Sequence, residues 1–276
     1  MVILYPSGRI SHIQEQQLTT VGRNVTALEI LGSFDDCQSM VKRAFEDQEI
    51  QQSRPLTSAN SINIGRWLPQ SIYYAWASAQ LNELARFVVP SGNFGNIAAG
   101  VLAQKMGVPI HSFVSAVNSN MSMAEYLRTG SYHPKSSVQT ISNAMDVGDP
   151  SNRPRLEWLY QGSFSKLKAE FSVIAVGEEE TKKSMLRFWN AHHELICPHT
   201  AVGVRAAQEV RQETADGLPT VILATAHPAK FGEVVSDATG QKSSVPEALK
   251  ECLMKTKEAT VLPASYDAFK AFLLDA

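Results

Sequence analysis

Short apolar runs alternate in this sequence with stretches in which apolar residues recur every three or four positions. The runs at residues 2–5 (VILY) and 25–31 (VTALEIL) are rich in β-branched and large apolar side chains. Each is followed by turn residues, so both are predicted to be buried strands. Because a core strand at residue 2 has no upstream element to cover it, we expect the chain to be the later part of a longer protein.

Two helices are predicted after these runs. The first begins near Phe34, with Asp35 and Asp36 in a first turn where the helix dipole favours anions. The second covers residues 64–82, with a kink at Pro69 or a start near it. Between them, the polar run at residues 49–54 is predicted to be a crossing between two domains.

From residue 87 the alternation of strand and helix becomes regular. Strands are predicted at residues 87–89, 110–117, 171–176 and 220–224, and helices at residues 97–106, 178–192 and 201–214. This order is typical of βαβ units, and it predicts an α/β fold with a parallel sheet. Residues 118–168 are irregular and rich in Ser, Asn, Pro and Gly, and their length favours a functional or domain-covering region over a linker.

Composition narrows the class of protein. The 276 residues are 44% hydrophobic and 19% charged, which is typical of a folded globular chain. Lys+Arg 25 against Asp+Glu 27 leaves a net charge of −2, so bulk charge attracts neither nucleic acid nor an anionic membrane. No apolar run approaches the roughly 18 residues of a membrane span. We therefore expect a small-molecule partner, with no nucleic acid and no membrane, and a chain that is a monomer or a homodimer.

Three cysteines lie far apart in the sequence, at Cys37, Cys197 and Cys252. Their odd number and the absence of a CxxC spacing argue against a disulfide framework and against a zinc site. The N-terminus also lacks the features of a signal peptide. We expect a cytoplasmic protein with reduced thiols and no metal.

The sharpest local signal is the run SGNFGN at residues 91–96, which lies between a predicted strand and a predicted helix. Gly92 and Gly95 allow a tight turn that points successive backbone N–H groups at one place, and the helix N-terminus adds further donors. The spacing therefore predicts a phosphate site, in which a side chain at Gly95 would fill the space of the phosphate. The alternative is a tight turn between strand and helix that binds no ligand.

Seven segments, in the same order along the chain, resemble the threonine synthases, which are pyridoxal-phosphate enzymes of the tryptophan synthase β fold. The segments are residues 4–11 with 14–15, 32–38 (GSFDDCQ), 58–63 (SANSIN), 91–96 (SGNFGN), 144–152 (AMDVGDPSN), 198–203 (PHTAVG) and 225–231 (TAHPAKF). The resemblance implies an open, mostly parallel sheet with helices on both faces, the arrangement called fold type II of pyridoxal-phosphate enzymes. It implies that the fold is incomplete at its N-terminus. It also implies that residues 1–55 are the remnant of a smaller domain and that residues 56–276 are the large cofactor-binding domain.

The same resemblance implies a reaction, a cofactor and a set of site residues. Threonine synthases convert O-phospho-L-homoserine and water to L-threonine and phosphate with pyridoxal 5'-phosphate, which acts as the electron sink. The residues expected to hold the cofactor phosphate through backbone and side chains are Gly92, Asn93, Phe94, Gly95 and Asn96. Thr225 corresponds to the family's hydroxyl that meets the pyridine nitrogen, and its alternative role is that of an ordinary turn threonine.

The candidates for the substrate phosphate or carboxylate are Asn60, Ser61, Asn63 and Arg66, because their hydrogen-bond donors are clustered and an arginine can grip an oxyanion with two bonds. The alternative is that Asn60 and Ser61 only cap the helix that begins near Ile64.

One departure from the family concerns the catalytic lysine. The Schiff-base lysine of threonine synthases lies in a Phe-Lys-Asp motif upstream of the segment that corresponds to residues 4–11, and this motif does not occur here. The resemblance therefore implies a lyase whose lysine is supplied from outside this chain. The alternative is a non-catalytic fragment that binds pyridoxal phosphate or another phosphorylated metabolite.

Overall fold

A computed structural model describes residues 1–275 as an α/β protein with parallel sheets. The strands are β1 Val2–Pro6, β2 Thr26–Leu31, β3 Ala85–Pro90, β4 Ile110–Val117, β5 Phe171–Ala175, β6 Thr220–Ile222 and β7 Thr260–Pro263. The helices are α1 His12–Thr19, α2 Phe34–Glu46, α3 Gln48–Ser53, α4 Trp67–Ala79, α5 Gly95–Lys105, α6 Ser122–Thr129, α7 Arg153–Leu159, α8 Phe164–Glu170, α9 Glu178–His192, α10 Pro198–Thr214, α11 Gly232–Thr239, α12 Glu247–Leu253 and α13 Tyr266–Asp275.

The first compact unit is built from three separate parts of the chain, Met1–Thr57, Ala229–Phe231 and Ser243–Ala276. Its sheet has the order β1-β2-β7, and both strand pairs are parallel. Helix α2 begins with a capping box, in which the Ser33 hydroxyl accepts from the Asp36 amide and the Asp36 carboxylate accepts from the Ser33 amide. The helix then buries Met40 and Ala44 beside Leu28 and Ile30 of β2 in one apolar cluster.

The second unit comprises Ser58–Pro228 and Gly232–Lys242, and its sheet has the order β5-β4-β3-β6. Successive residues of a strand point to opposite faces. Phe87 and Val89 of β3 accordingly join one apolar cluster with α4 and α5, whereas Val88 joins another with α10. The predicted parallel sheet with helices on both faces is therefore confirmed.

Several predicted elements differ from the structure. The polar run at 49–54 is mostly helix α3, because the Asp47 side chain caps its amides and Ile50 is buried. The predicted helix over 64–82 is a 3-10 turn, Ile64–Arg66, followed by α4, with Pro69 in the first turn where a missing N–H costs nothing. The strand predicted at 220–224 ends at Ile222. The irregular region 118–168 contains α6, α7 and most of α8.

The predicted division at residue 55 lies close to Thr57, where the first part of unit one ends, but residues 243–276 also belong to that unit. The assignment of a smaller and a larger functional domain stays a prediction. Among residues 1–275, no helix combines the length and apolar character that crossing a membrane requires.

Candidate functional site

The loop at residues 91–96 leaves the carboxyl edge of the sheet in unit two. Strand β3 is buried along its whole length and lies between β4 and β6. Past its end, the Ser91 amide donates to the Ala116 carbonyl at 2.9 Å, and the Ser91 hydroxyl donates to the Val89 carbonyl at 2.9 Å. The loop therefore begins from a fixed point at the edge where open α/β sheets bind their ligands.

The loop ends in a helix N-terminus whose donors are unused. Phe94 has a left-handed backbone (φ 59°), and α5 begins after it without a side-chain cap. In the described chain, the amides of residues 92–97 donate no hydrogen bond. The first amide with an acceptor is that of Ala98, which donates to the Phe94 carbonyl at 3.1 Å. Unpaired N–H groups and the positive end of the helix dipole make this cradle suitable for an anion such as the phosphate of pyridoxal phosphate.

The two glycines of the loop are required by neighbouring protein segments. A Cβ at Gly92 would lie 2.6 Å from Met145 Cα, and a Cβ at Gly95 would lie 2.7 Å from Ser61 Cβ. The expectation that a side chain at Gly95 would take the place of the phosphate is therefore wrong, because Ser61 occupies that direction. Both glycines allow other parts of unit two to approach the loop backbone.

The Asn93 side chain is engaged at both ends by the protein. Its Oδ1 accepts from the Ser151 amide at 2.7 Å and from the Ser151 hydroxyl at 2.9 Å. Its Nδ2 donates to the Ser61 hydroxyl at 2.7 Å, and its carbonyl accepts from Asn152 Nδ2 at 2.9 Å. Asn93 therefore offers a ligand its backbone amide, while its side chain ties three segments together.

Asn96 is oriented by a buried tyrosine. The Tyr74 hydroxyl lies 2.8 Å from Asn96 Oδ1 and 3.1 Å from the Asn96 carbonyl, and it can donate to either. Tyr74 is fully buried, and burial raises its pKa well above the usual value, so the hydroxyl keeps its proton. Because Asn96 Oδ1 faces Tyr74, the Nδ2 group of Asn96 points away from this tyrosine.

Of the four substrate candidates, Ser61 contacts the loop directly, through Asn93 and at Gly95. The Ser61 hydroxyl also donates to Asn60 Oδ1 at 3.0 Å. Asn63 acts as a local cap instead, because its Oδ1 accepts from the Gly65 amide and its Nδ2 donates to the Ser58 carbonyl. Arg66 is exposed where the 3-10 turn meets α4. The capping alternative thus applies to Asn63 and not to Asn60 and Ser61.

Thr225 lies just beyond β6, which is the neighbour of β3. The two strands are parallel, with Val88 opposite Ile222, and the Leu223 amide donates to the Val88 carbonyl at 3.0 Å. Thr225 and the loop that follows β3 are therefore brought to the same edge of the sheet, on adjacent strands. Thr225 is exposed there.

A buried polar cluster holds the segment that faces Gly92. Asn118, just after β4, donates to Asp146 Oδ1 at 2.8 Å, and the Thr140 amide and hydroxyl also donate to the Asp146 carboxylate. Burial raises the pKa of Asp146 to about 6, although these donors oppose the rise. The cluster fixes Met145, the residue next to Asp146, against the loop.

Sequence reasoning gave no role to the start of α7, which the structure places beside the loop. Besides Ser151 and Asn152, it contributes Arg155, which donates to the Ser61 carbonyl at 2.9 Å and to the Ile62 carbonyl. The resemblance of residues 144–152 to the threonine synthases was the available signal for the first two. No periodicity or spacing in the sequence indicates Arg155.

Comparisons with known proteins agree with the resemblance. A family model described as "Pyridoxal-phosphate dependent enzyme" matches residues 1–226, and one described as "Threonine synthase, C-terminal" matches residues 200–273. The threonine synthase of Serratia marcescens is 42% identical over 278 residues, which cover 99% of this chain and 64% of the relative.

Solved structures give the same result. The crystal structure of threonine synthase from Escherichia coli superposes with a TM-score of 0.93 at 39% identity, over 99% of this chain and 64% of that one. The structure of threonine synthase from Brucella melitensis with bound pyridoxal phosphate gives a TM-score of 0.85 at 34% identity, again over 99% and 64%. The chain spans about 64% of the length of these relatives.

Proposed function

The chain belongs to the family of pyridoxal-phosphate-dependent enzymes, and we propose that it forms the part of a threonine synthase that holds the cofactor phosphate and the phosphorylated substrate. The reaction in this proposal is the conversion of O-phospho-L-homoserine and water to L-threonine and phosphate, a carbon–oxygen lyase reaction. The observation that carries it is the uncapped N-terminus of α5, where the amides of residues 92–97 have no acceptor in the described chain.

Each role in the proposal falls to a group with suitable chemistry. The backbone amides of residues 92–96 bind the cofactor phosphate, since a helix N-terminus and successive N–H groups favour a dianion. The Thr225 hydroxyl would donate a hydrogen bond to the pyridine nitrogen of the bound cofactor. Pyridoxal phosphate, when bound, supplies the electron sink for charge that develops on the substrate carbon atoms.

The substrate roles fall to the turn at residues 58–66. Ser61 contacts the phosphate loop, and Asn60 is linked to it through the Ser61 hydroxyl. The two residues carry hydroxyl and amide groups, and the exposed Arg66 adds a positive charge. These groups bind and orient the anionic ends of the substrate, while Asn63 holds the turn in shape. Orientation of this kind is a main contribution of the protein in a cofactor enzyme.

The proton transfers are assigned to a lysine from outside these 276 residues, because the Phe-Lys-Asp motif does not occur in them. The same observation favours a second candidate function, a fragment that binds the cofactor or another phosphorylated metabolite without catalysis. We also propose a cytoplasmic location, which the three free cysteine thiols support.

Cofactor binding followed by reduction tests both candidates. The chain is titrated with pyridoxal phosphate and followed by cofactor absorbance and fluorescence, with inorganic phosphate as competitor. Borohydride is then added, and the product is examined by mass spectrometry. We expect saturable binding that phosphate weakens, with no specifically labelled lysine. No binding would overturn the cofactor assignment and favour another phosphorylated metabolite. A single lysine labelled in stoichiometric yield would overturn the assignment of the lysine to a segment outside the chain.

The threonine synthase assignment itself is tested by the substrate. Calorimetric titration of the pyridoxal-phosphate-loaded chain with O-phospho-L-homoserine is expected to show binding, and L-homoserine without the phosphate is the matched control. Equal affinity for the two compounds would contradict the assignment of the turn at 58–66 to an anionic substrate.

A further inference from the structure

Four residues around the phosphate loop form a closed ring of hydrogen bonds through their side chains and two backbone carbonyls. Arg155 donates to the Ser61 carbonyl and to Asn152 Oδ1, each at 2.9 Å. Asn152 Nδ2 donates to the Asn93 carbonyl at 2.9 Å, and Asn93 Nδ2 closes the ring on the Ser61 hydroxyl at 2.7 Å. The ring joins the turn at 58–63, the loop at 91–96 and the start of α7.

Within the ring, Arg155 holds the turn at 58–63 by its backbone. Nη1 donates to the Ser61 carbonyl, and Nη2 donates to the Ile62 carbonyl. The guanidinium also lies 5.7 Å from the centre of the Trp67 ring, a side chain that is almost fully buried at the start of α4. A planar fork with several donors in fixed directions can serve two successive carbonyls at once, whereas the single ammonium of a lysine cannot reproduce this geometry.

The loop and the turn depend on Arg155 to different degrees. Asn93 is also held by two hydrogen bonds from Ser151, and Asn152 keeps its own bond to the Asn93 carbonyl without Arg155. The carbonyls of Ser61 and Ile62, in contrast, both receive their donors from Arg155. Loss of the guanidinium therefore removes both donors to the backbone of the turn and leaves Ser61, within the described chain, tied to the loop only by Asn93, whereas the loop keeps its bonds to Ser151 and Asn152.

We propose that Arg155 is a positioning residue, which sets the turn at 58–63 in the arrangement that binds the anionic group of the substrate while contributing little to cofactor binding. The inference rests on the proposed function, because that turn is where the substrate is assigned. It adds a residue that acts through Ser61 and Ile62 and does not itself touch the cofactor.

The test compares Arg155→Lys with Arg153→Lys in the full chain. Arg153 is on the same helix but pairs with Glu157 at 2.6 Å and stacks on Tyr132, away from the turn. Dissociation constants are measured for pyridoxal phosphate by fluorescence, and for O-phospho-L-homoserine with the loaded chain by calorimetry. In Arg155→Lys we expect weaker phosphohomoserine binding, by about tenfold or more, because small misplacements of a binding group are costly. Cofactor affinity should stay within about twofold, because Ser151 and Asn152 still hold Asn93 in the variant. Arg153→Lys should match the wild type in both.

A rescue and an exchange measurement separate positioning from general damage. Guanidinium added to Arg155→Ala is expected to restore part of the phosphohomoserine affinity. Amide hydrogen exchange at residues 61–63 should be faster in Arg155→Lys than in wild type, with unchanged exchange at residues 91–96. A wild-type readout needs no variant: the Arg155 guanidinium protons, followed by NMR, should exchange more slowly with water when O-phospho-L-homoserine binds.

The outcomes distinguish the two proposals. If the wild type fails to bind O-phospho-L-homoserine, the proposed function falls, and this inference falls with it. If the wild type binds it but Arg155→Lys binds it equally well, only the positioning role is overturned. Equal losses of cofactor and substrate affinity in Arg155→Lys, or guanidinium protons that do not respond to the substrate, would also overturn it.

Discussion

Replacement of Gly92 by alanine tests the contact between the phosphate loop and the segment behind it. A Cβ at this position would lie 2.6 Å from Met145 Cα and 3.0 Å from its carbonyl carbon. Carbon atoms in contact prefer about 3.5–4.0 Å, so one of two backbones must move by about 1 Å. Met145 cannot yield easily, because the adjacent Asp146 is fixed by Asn118 and Thr140.

The expected cost follows from overpacking, which destabilises proteins by about 1–3 kcal/mol. If the loop stays in place, this cost lowers the free energy of unfolding, and the melting temperature falls by about 2–10 °C. If the loop moves outward, its amides no longer fit the cofactor phosphate and the same free energy is lost from binding. The dissociation constant for pyridoxal phosphate then rises by about 5- to 150-fold. Differential scanning fluorimetry and a cofactor titration together cover both cases.

Gly177→Ala is the matched control for this substitution. A Cβ at Gly177 meets no atom within 4 Å, and the residue has an ordinary negative φ of −74° at the start of α9. Because Gly177 is the N-cap of α9 and alanine is a poorer cap than glycine, the substitution should cost about 0.5–1 kcal/mol of stability and leave cofactor affinity unchanged. If Gly92→Ala matched this control in both melting temperature and cofactor affinity, the close packing of Met145 on the loop would be refuted.

Two further substitutions probe the surroundings of the loop. Tyr74→Phe removes the buried hydroxyl that donates to Asn96. It should lower the free energy of unfolding, measured by urea denaturation, by about 1–2 kcal/mol, and it should weaken cofactor binding. Tyr73→Phe, on the same helix, should change neither quantity. Burial lowers the pKa of His199 to about 4. The unfolded chain therefore binds a proton at this residue below about pH 6.5, whereas the folded chain binds it only below about pH 4. As the pH falls from 6.5 to 4, the contribution of His199 alone should lower the free energy of unfolding by about 3 kcal/mol, whereas Asp146, with its pKa raised to about 6, contributes in the opposite direction. The test is therefore the difference between wild type and His199→Gln, because only the contribution of His199 is lost in the variant. An identical slope in the variant would contradict the assignment.

The regular part of the fold was predictable because its elements are long and strongly patterned. The structure has β4 and α9 at the predicted bounds, Ile110–Val117 and Glu178–His192. Short elements escaped prediction because one buried side chain and one cap are enough to form them. Helix α3 depends on Ile50 and on the Asp47 cap, and β7 is a four-residue strand that pairs only with β2 among the described strands.

The site was predictable where chemistry follows local sequence and unpredictable where it depends on tertiary contacts. The loop between β3 and α5 follows from its glycines and from the pattern on either side. The hydrogen bonds of the Asn93 side chain with Ser61 and Ser151 could not be predicted in this way, because those partners are 32 and 58 residues away along the chain. The same holds for Arg155, whose acceptors are backbone carbonyls more than 90 residues upstream and carry no side-chain signature.

The discontinuity of unit one has a consequence for how the chain is made. Most of unit two is a continuous stretch, Ser58–Pro228, whereas the partner of β2 on one edge is β7, near the other end of the sequence. During synthesis β2 leaves the ribosome early and β7 leaves it late. One edge of β2 therefore stays unpaired during the time in which most of unit two can already fold. Exposed edges of this kind invite pairing with other chains, and a ribosome stalled before residue 260 would release a product with β2 still bare on that side.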